Sequence, residues 1–271
     1  VAEKLTFDNE KQNQFVSALL KNASAELKCS EKELFLKNYT LKTSYDPKIT
    51  DIARNSIKQI VGYFYIRILV LDNSSGGIVC DETNANGYIN PKRSPASTIK
   101  PFIAYAPALE NGLNPMSQIL DAPAVFGDYS PQNYRNVYRG YQSLTDCLKY
   151  SSNIAAVKLV REVGIDKAKS VARSCGLPFE KNDNSLSVAL GGMEKGVTLL
   201  DLANAYRTLA NGGVYSEVSY FTGAYSNHSE TKSILRRHTP TVCAVSDDTA
   251  YLLTDMLTEC ARTGTAKKLK Y

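Results

Sequence analysis

A change of hydrophobic period along the chain limits the available folds more than any other feature. Ile66–Leu71 reads as a strand, Asp72-Asn73-Ser74-Ser75-Gly76-Gly77 as a turn, and Ile78–Cys80 as the start of a returning strand. From Ser97 to Leu209 the signals are helical. Strand signals return over residues 214–245, where Val218–Tyr225 and Ser233–Val245 flank a turn at Asn227–Glu230. A last helix is expected over Asp248–Ala261, because Leu252/Leu253, Met256/Leu257 and Cys260/Ala261 recur at a four-residue spacing. Strands, then many helices, then strands and a helix imply an α+β fold: an antiparallel sheet with a large helical subdomain inserted.

Local punctuation supports that order. Asp46-Pro47 starts a helix carrying Ile49, Ile52, Ile57 and Ile60. Ser143-Leu144-Thr145-Asp146 and Thr198-Leu199-Leu200-Asp201 resemble capping boxes. The second opens a helix with Leu199, Leu202, Ala203, Tyr206 and Leu209 on one side, which Asn211-Gly212-Gly213 stops. From Asn9 to about Asn38 the chain is polar with spaced leucines, as expected for helices or a linker attached to an upstream neighbour. The expected division is therefore residues 1–60 as linker or tail and 61–271 as the main domain.

With 271 residues, 43% hydrophobic and 22% charged, the chain has enough apolar material for a sizeable core. The longest apolar run, Tyr63–Leu71, is interrupted by Arg67 and falls short of the ~18 residues of a membrane helix. A net charge of +5, dispersed along the chain, gives no reason to expect nucleic acid as a partner. The six cysteines form no Cys-x-x-Cys pair and read as isolated buried thiols. His228 and His238 lack partners for a triad or a metal site, so neither metal nor cofactor is expected. Gly191-Gly192 and Gly196 lack the Lys-Ser/Thr of a phosphate loop and read as tight helix–sheet packing.

Two short motifs carry possible chemistry. In Ser97-Thr98-Ile99-Lys100, helical spacing puts the lysine on the serine's face. A serine hydroxyl is a weak nucleophile until a base takes its proton. Lysine serves as that base only when burial or cationic neighbours depress its pKa from ~10.4. Ile99 and Phe102 offer the dry surroundings. The bland alternative is an N-cap serine followed by a surface lysine. In Ser151-Ser152-Asn153, at the junction of two helix signals, Ser151 is placed to relay a proton and Asn153 to hold a peptide amide. There the bland alternative is that Asn153 caps the second helix.

Together the two motifs resemble the Ser-x-x-Lys and Ser-x-Asn motifs of the penicillin-binding protein and serine β-lactamase superfamily. Arg93–Phe102, Tyr129-Ser130-Pro131-Gln132-Asn133, Leu148–Leu159 and Leu186–Gly213 extend the likeness, the last being similar to class A penicillin-binding proteins. Tyr39–Ile57 resembles the segment joining their glycosyltransferase and transpeptidase domains. The resemblance implies a serine D,D-transpeptidase that cross-links peptidoglycan stem peptides through an acyl-enzyme on Ser97 and also binds β-lactam antibiotics. Lys100 is then the base, Ser151 the proton shuttle and Asn153 the residue orienting the substrate. The Ser97 N–H is half of the oxyanion hole. It also implies an upstream glycosyltransferase domain and membrane anchor in the parent protein, with work done at the extracytoplasmic face of the bacterial cell membrane. A D,D-carboxypeptidase or β-lactamase, and a non-catalytic β-lactam-sensing or peptidoglycan-binding module, are the alternative readings. For a β-lactamase, Glu180 and Glu194 are the carboxylates to consider as the base that activates water.

The family's third motif, Lys-Thr/Ser-Gly on an edge strand, has one look-alike here, Arg262-Thr263-Gly264-Thr265. The helical period of Leu252–Ala261 leading into it, with Arg in the last turn and Gly at the end, predicts a helix stop instead. On that reading the chain ends short of its own third motif.

Overall fold

The computed structural model describes residues 13–37, 39–60, 62, 64–225, 233–236 and 239–268. In chain order these form helices α1 (Gln14–Leu27) and α2 (Glu31–Leu36), strand β1 (Thr40–Lys42), helix α3 (Pro47–Gln59) and strands β2 (Arg67–Leu71) and β3 (Ile78–Thr83). A 3-10 turn at Ala96–Ile99, a π-helical turn at Pro101–Tyr105 and helix α4 (Ala106–Glu110) follow. Then come β4 (Gln118–Asp121), β5 (Gly140–Ser143), α5 (Leu144–Lys149), α6 (Asn153–Val163), α7 (Ile165–Ser174) and α8 (Leu199–Ala210). The series ends with β6 (Val214–Ser216), β7 (Gly223–Tyr225), β8 (Ser233–Arg236), β9 (Thr241–Cys243) and α9 (Asp247–Arg262).

The described residues fall into two compact units, Val1–Asn90 with Glu217–Pro240 and Pro91–Ser216 with Thr241–Tyr271. Among the described residues the named strands pair antiparallel, in four small sheets, β1-β7-β8, β2-β3, β4-β5 and β6-β9, and an isolated parallel bridge joins Gly77 to Ser219. The expected α+β class, antiparallel strands with a large helical part, is thus observed, with the strands in small sheets.

In the first unit Asp46 caps α3, its carboxylate accepting from Lys48 N–H at 2.8 Å and Ile49 N–H at 3.1 Å. The expected β2–β3 hairpin forms, with a register shift between Val70 and Leu71. Phe15 of α1 is fully buried, its ring 4.8 Å from that of Tyr45 and 5.3 Å from that of Tyr220. Beside it lies a buried polar network. Arg67 meets Asp81 with two bonds, at 2.7 and 2.8 Å. Tyr220 Oη donates to Asp81 at 2.7 Å, and a further Arg67 N–H donates to Asn90 Oδ1 at 2.8 Å. Gln14 closes the network by exchanging bonds with the Ile89 backbone in both directions.

Val218–Tyr225 is strand only at β7. Ser219 holds Phe221 N–H and donates to the Phe221 carbonyl, so a side-chain turn takes the backbone groups a ladder needs. The expected strand Ser233–Val245 splits into β8 and β9 in different sheets, with Pro240 between them. Proline donates no ladder bond, which ends the run. The turn at Asn227–Glu230 and both histidines lie outside the described residues.

The second unit packs helices around Phe102, Ile103, Leu144, Val157, Leu159, Leu253 and Met256. Ser143 caps α5 and Thr198–Asp201 forms a complete capping box on α8, as their patterns predict. The helix expected after Ser97 has three windings instead of one. Pro101 has no N–H for an intrahelical bond, and Pro107 repeats the interruption. Cys80, Cys147, Cys175 and Cys260 are buried free thiols as expected, but Cys29 is half-buried and Cys243 exposed. No described helix is long and apolar enough to cross a membrane.

Candidate active site

Ser97 sits in the 3-10 turn at the start of its helix, exposed to solvent, while Ile99 beneath it is fully buried. In a 3-10 turn residues three apart eclipse one another, so Ser97 and Lys100 share a face as the spacing predicts. Neither half of the bland alternative for this motif holds. Pro95 occupies the cap position, and Lys100 is 1% exposed rather than on the surface.

Several contacts hold the serine turn. Ala96, just before it, has φ +48°, a left-handed conformation that costs a residue with a Cβ about 1 kcal/mol or more. Ser94 Oγ donates to the Gly191 carbonyl at 2.7 Å, and Tyr206 Oη of α8 donates to the Thr98 carbonyl at 3.0 Å. Arg93 and Val197 exchange backbone bonds at 2.9 Å. A Cβ at Gly191 would come within 2.5 Å of Ala96 N, and one at Gly196 within 2.2 Å of Arg93 O. These glycines therefore let the backbone close against the segment leading into Ser97. The sequence reading of helix–sheet packing is corrected accordingly.

The Lys100 ammonium does not bond to Ser97. It donates to the Ser151 carbonyl at 2.7 Å, Ser151 Oγ at 3.0 Å and Asn153 Oδ1 at 2.7 Å. All three acceptors are neutral. Burial pushes the Lys100 pKa down to about 7, and the negative charge of Asp121 offsets this only in part. Near neutrality a large fraction of the amine is thus unprotonated and able to accept a proton.

Ser151 is itself left-handed, at φ +55°, in the bend between α5 and α6. That bend turns its hydroxyl and its carbonyl onto Lys100. Asn153 is not the cap of α6; Ser152 is, accepting from Ala155 N–H at 3.0 Å. Asn153 is instead the first helical residue. Its Nδ2 donates to the Gln132 carbonyl at 2.7 Å, which fixes its Oδ1 toward Lys100.

Two residues given no role by the motifs brace this arrangement. Asn133 Oδ1 accepts from Asn153 N–H at 2.8 Å and Ile154 N–H at 3.2 Å, satisfying donors at the open start of α6. Its Nδ2 donates to Asp121 at 2.6 Å. Asp121, almost fully buried at the end of β4, also accepts from Ser152 Oγ at 2.8 Å and Arg139 N–H at 3.2 Å. Asn133 ends the Tyr129–Asn133 segment that carried part of the sequence resemblance; Asp121 left no local signal.

The third-motif look-alike is the end of α9. Thr263 caps the helix, Gly264 N–H donates to the Cys260 carbonyl at 3.1 Å, and Arg262 pairs with Glu259. A Cβ at Gly264 would lie 2.6 Å from the Lys149 carbonyl, so close packing explains that glycine. Arg262-Thr263-Gly264 is therefore no edge strand, as its helical context predicts. No group of three or more His, Cys, Asp or Glu residues among the described residues is placed to hold a metal.

Comparison with known proteins supplies the context. The chain is 30% identical over 272 residues to penicillin-binding protein 1F of Bacillus subtilis, covering 95% of this chain and 37% of that relative. It is 35% identical to penicillin-binding protein 1A of Pseudomonas aeruginosa over 144 residues, 51% of this chain and 17% of that protein. The chain thus spans little more than a third of the first relative. In fold it is similar to PonA1 of Mycobacterium tuberculosis, solved in complex with penicillin V. That match has TM-score 0.81 at 17% identity and covers 93% of this chain and 72% of that one. A family model, the penicillin binding protein transpeptidase domain, matches residues 55–270. That match covers most of the chain, including both motifs around Lys100, and the chain belongs to the penicillin-binding protein transpeptidase domain family.

Proposed function

We propose that this chain is a penicillin-binding serine D,D-transpeptidase domain that cross-links peptidoglycan stem peptides. The observation that carries the reading is the Lys100 amine, withdrawn from water, bonded only to neutral acceptors and brought down to about 7. It lies on the face of an exposed serine at the start of a helix.

In the proposed reaction Ser97 Oγ attacks the carbonyl of the penultimate D-Ala, and its proton passes to the unprotonated Lys100 Nζ. The tetrahedral oxyanion takes a bond from the Ser97 N–H, which belongs to the first turn and lacks an intrahelical partner. Ser151 Oγ, 3.0 Å from Lys100 Nζ, hands a proton to the leaving nitrogen. The C–N bond breaks, the terminal D-Ala departs, and an ester to Ser97 remains. A neighbouring stem-peptide amine then attacks the ester and loses a proton along the same path, which regenerates Ser97. Asn153 orients the peptide backbone. A β-lactam takes the first half of this path and leaves its opened ring on Ser97.

The parent protein is proposed to carry a glycosyltransferase domain and a membrane anchor upstream, with residues 1–60 leading from them into the transpeptidase region. The work is then done at the outer face of the cytoplasmic membrane. The hydrolytic alternative needs a base for water. Of the two carboxylates considered, Glu180 is held by Lys195 at 3.0 Å, and Glu194 is an exposed residue.

Intact-mass measurement after treatment with benzylpenicillin tests the proposal. One lasting adduct per chain, absent from Ser97→Ala, is the expected result. Rapid turnover of a chromogenic β-lactam would make the chain a β-lactamase. Failure to form any adduct would make it an inactive scaffold, and an adduct that survives Ser97→Ala would refute the choice of nucleophile.

A further inference from the structure

Beside Ser151 lies a group of cations that the acyl-transfer steps do not use. Tyr150, the residue before Ser151, carries the Arg139 guanidinium over its ring at 4.3 Å and the Lys149 ammonium at 5.1 Å. Lys149 has an acidic neighbour, Asp146, at 3.6 Å. Arg139 is exposed and pairs with no carboxylate among the described residues. Its backbone is nonetheless fixed. Its N–H donates to Asp121, the carboxylate that also holds Ser152, and Gly140 at φ +72° turns the chain directly after it.

A guanidinium stacked on a ring keeps its N–H edges free and its orientation defined. That edge matches a carboxylate with two parallel bonds. Two cations, Arg139 and Lys149, share the Tyr150 ring against one carboxylate, Asp146, on Lys149, while the buried Asp121 carboxylate is already taken by Asn133, Ser152 and the Arg139 N–H. The adjoining β4–β5 ribbon pairs Leu120 with Tyr141, and both are exposed, which gives an extended peptide an apolar surface next to the cation.

We propose that Arg139, stacked on Tyr150, determines substrate specificity by taking a side-chain carboxylate of an acidic peptide bound at the Ser97–Lys100–Ser151 site. This rests on the acyl-transfer reading and names the substrate feature it selects. Two synthetic peptides ending in D-Ala-D-Ala serve as probes, identical except that one carries a free side-chain carboxylate and the other its amide. Binding is measured by calorimetry on the full chain with Ser97→Ala, so that no turnover intervenes.

The acidic peptide should bind roughly ten-fold more tightly than the amide, the scale of one charge-assisted contact. Adding Arg139→Ala should erase that preference. Arg139→Lys should keep only part of it, because the planar fork is lost while the charge remains. Raising salt to ~0.5 M should shrink the preference. Equal binding of the two peptides, or a preference that survives Arg139→Ala, overturns the proposal. The benzylpenicillin adduct on the unsubstituted chain reports the acyl-transfer reading separately, so failure of one is distinguishable from failure of the other.

Discussion

Arg67 and Lys100 are both cations largely withdrawn from water, each at the centre of a polar network in its own unit of the fold. Their partners differ. Arg67 meets the buried carboxylate of Asp81 in a two-point contact, and Tyr220, Gln14 and Asn90 take up the remaining bonds. Burial works against its charge, but the bonds to Asp81 outweigh that, and its pKa is raised. Lys100 has three oxygens within 3.0 Å and none of them is charged. Burial prevails there and the pKa falls. A buried cation with its counter-ion is a structural joint, whereas one given only neutral acceptors becomes a base near neutrality. The nearby carboxylate, Asp121, is occupied by Asn133, Ser152 and Arg139, which keeps it from becoming that counter-ion.

Substitutions at the two cations should therefore fail in different ways. Lys100→Met should lower the rate of penicillin acylation by roughly 10²- to 10⁴-fold, the usual contribution of a general base. A stopped-flow assay with a fluorescent penicillin measures it, and a loss below ten-fold would remove Lys100 from the chemistry. Asp81→Asn should instead leave Arg67 buried without its anion and cost about 3–5 kcal/mol of folding stability by urea titration. A cost near zero would mean that the network is not a joint.

The pH dependence of stability sharpens the contrast. A lysine whose folded pKa of about 7 lies below its ordinary 10.5 binds fewer protons in the folded state between those values. Stability is then reduced in full below pH 7 and recovers as pH rises toward 10.5. Between pH 7 and 9 the gain should be about 2 kcal/mol, with Lys100→Met losing that slope. A slope retained in the variant would place its origin elsewhere. The smallest effect belongs to the brace. Ser152→Ala removes the cap of α6 and should cost about 1 kcal/mol in the same titration.

What the sequence disclosed follows the range of each interaction. The capping residues Asp46, Ser143 and Thr198 act within one turn, and their patterns matched the observed helices. The helical period before Arg262 correctly read Arg262-Thr263-Gly264 as a helix end. Strand pairing acts over long separations, so the partnership of β1 with β7 and the split of Ser233–Val245 around Pro240 were not legible in local alternation. The site divides the same way. Lys100, Ser151 and Asn153 come together as their motifs suggested, although Lys100 bonds to the second motif rather than to Ser97. Asp121 and Asn133 were assigned no role, because a buried polar brace depends on where the chain returns in space. Gly191 and Gly196 signalled close packing, but only the fold shows that the backbone they admit leads into Ser97.

The proposed role of Lys100 as an unprotonated amine rests on surroundings that hold no paired anion. The rate of Ser97 acylation by a fluorescent penicillin from pH 5 to 10 tests it most directly. The rate should climb about ten-fold per pH unit at the acid end, bend near pH 7 and level above it. A rate flat across the range, or one still climbing at pH 10, would contradict it.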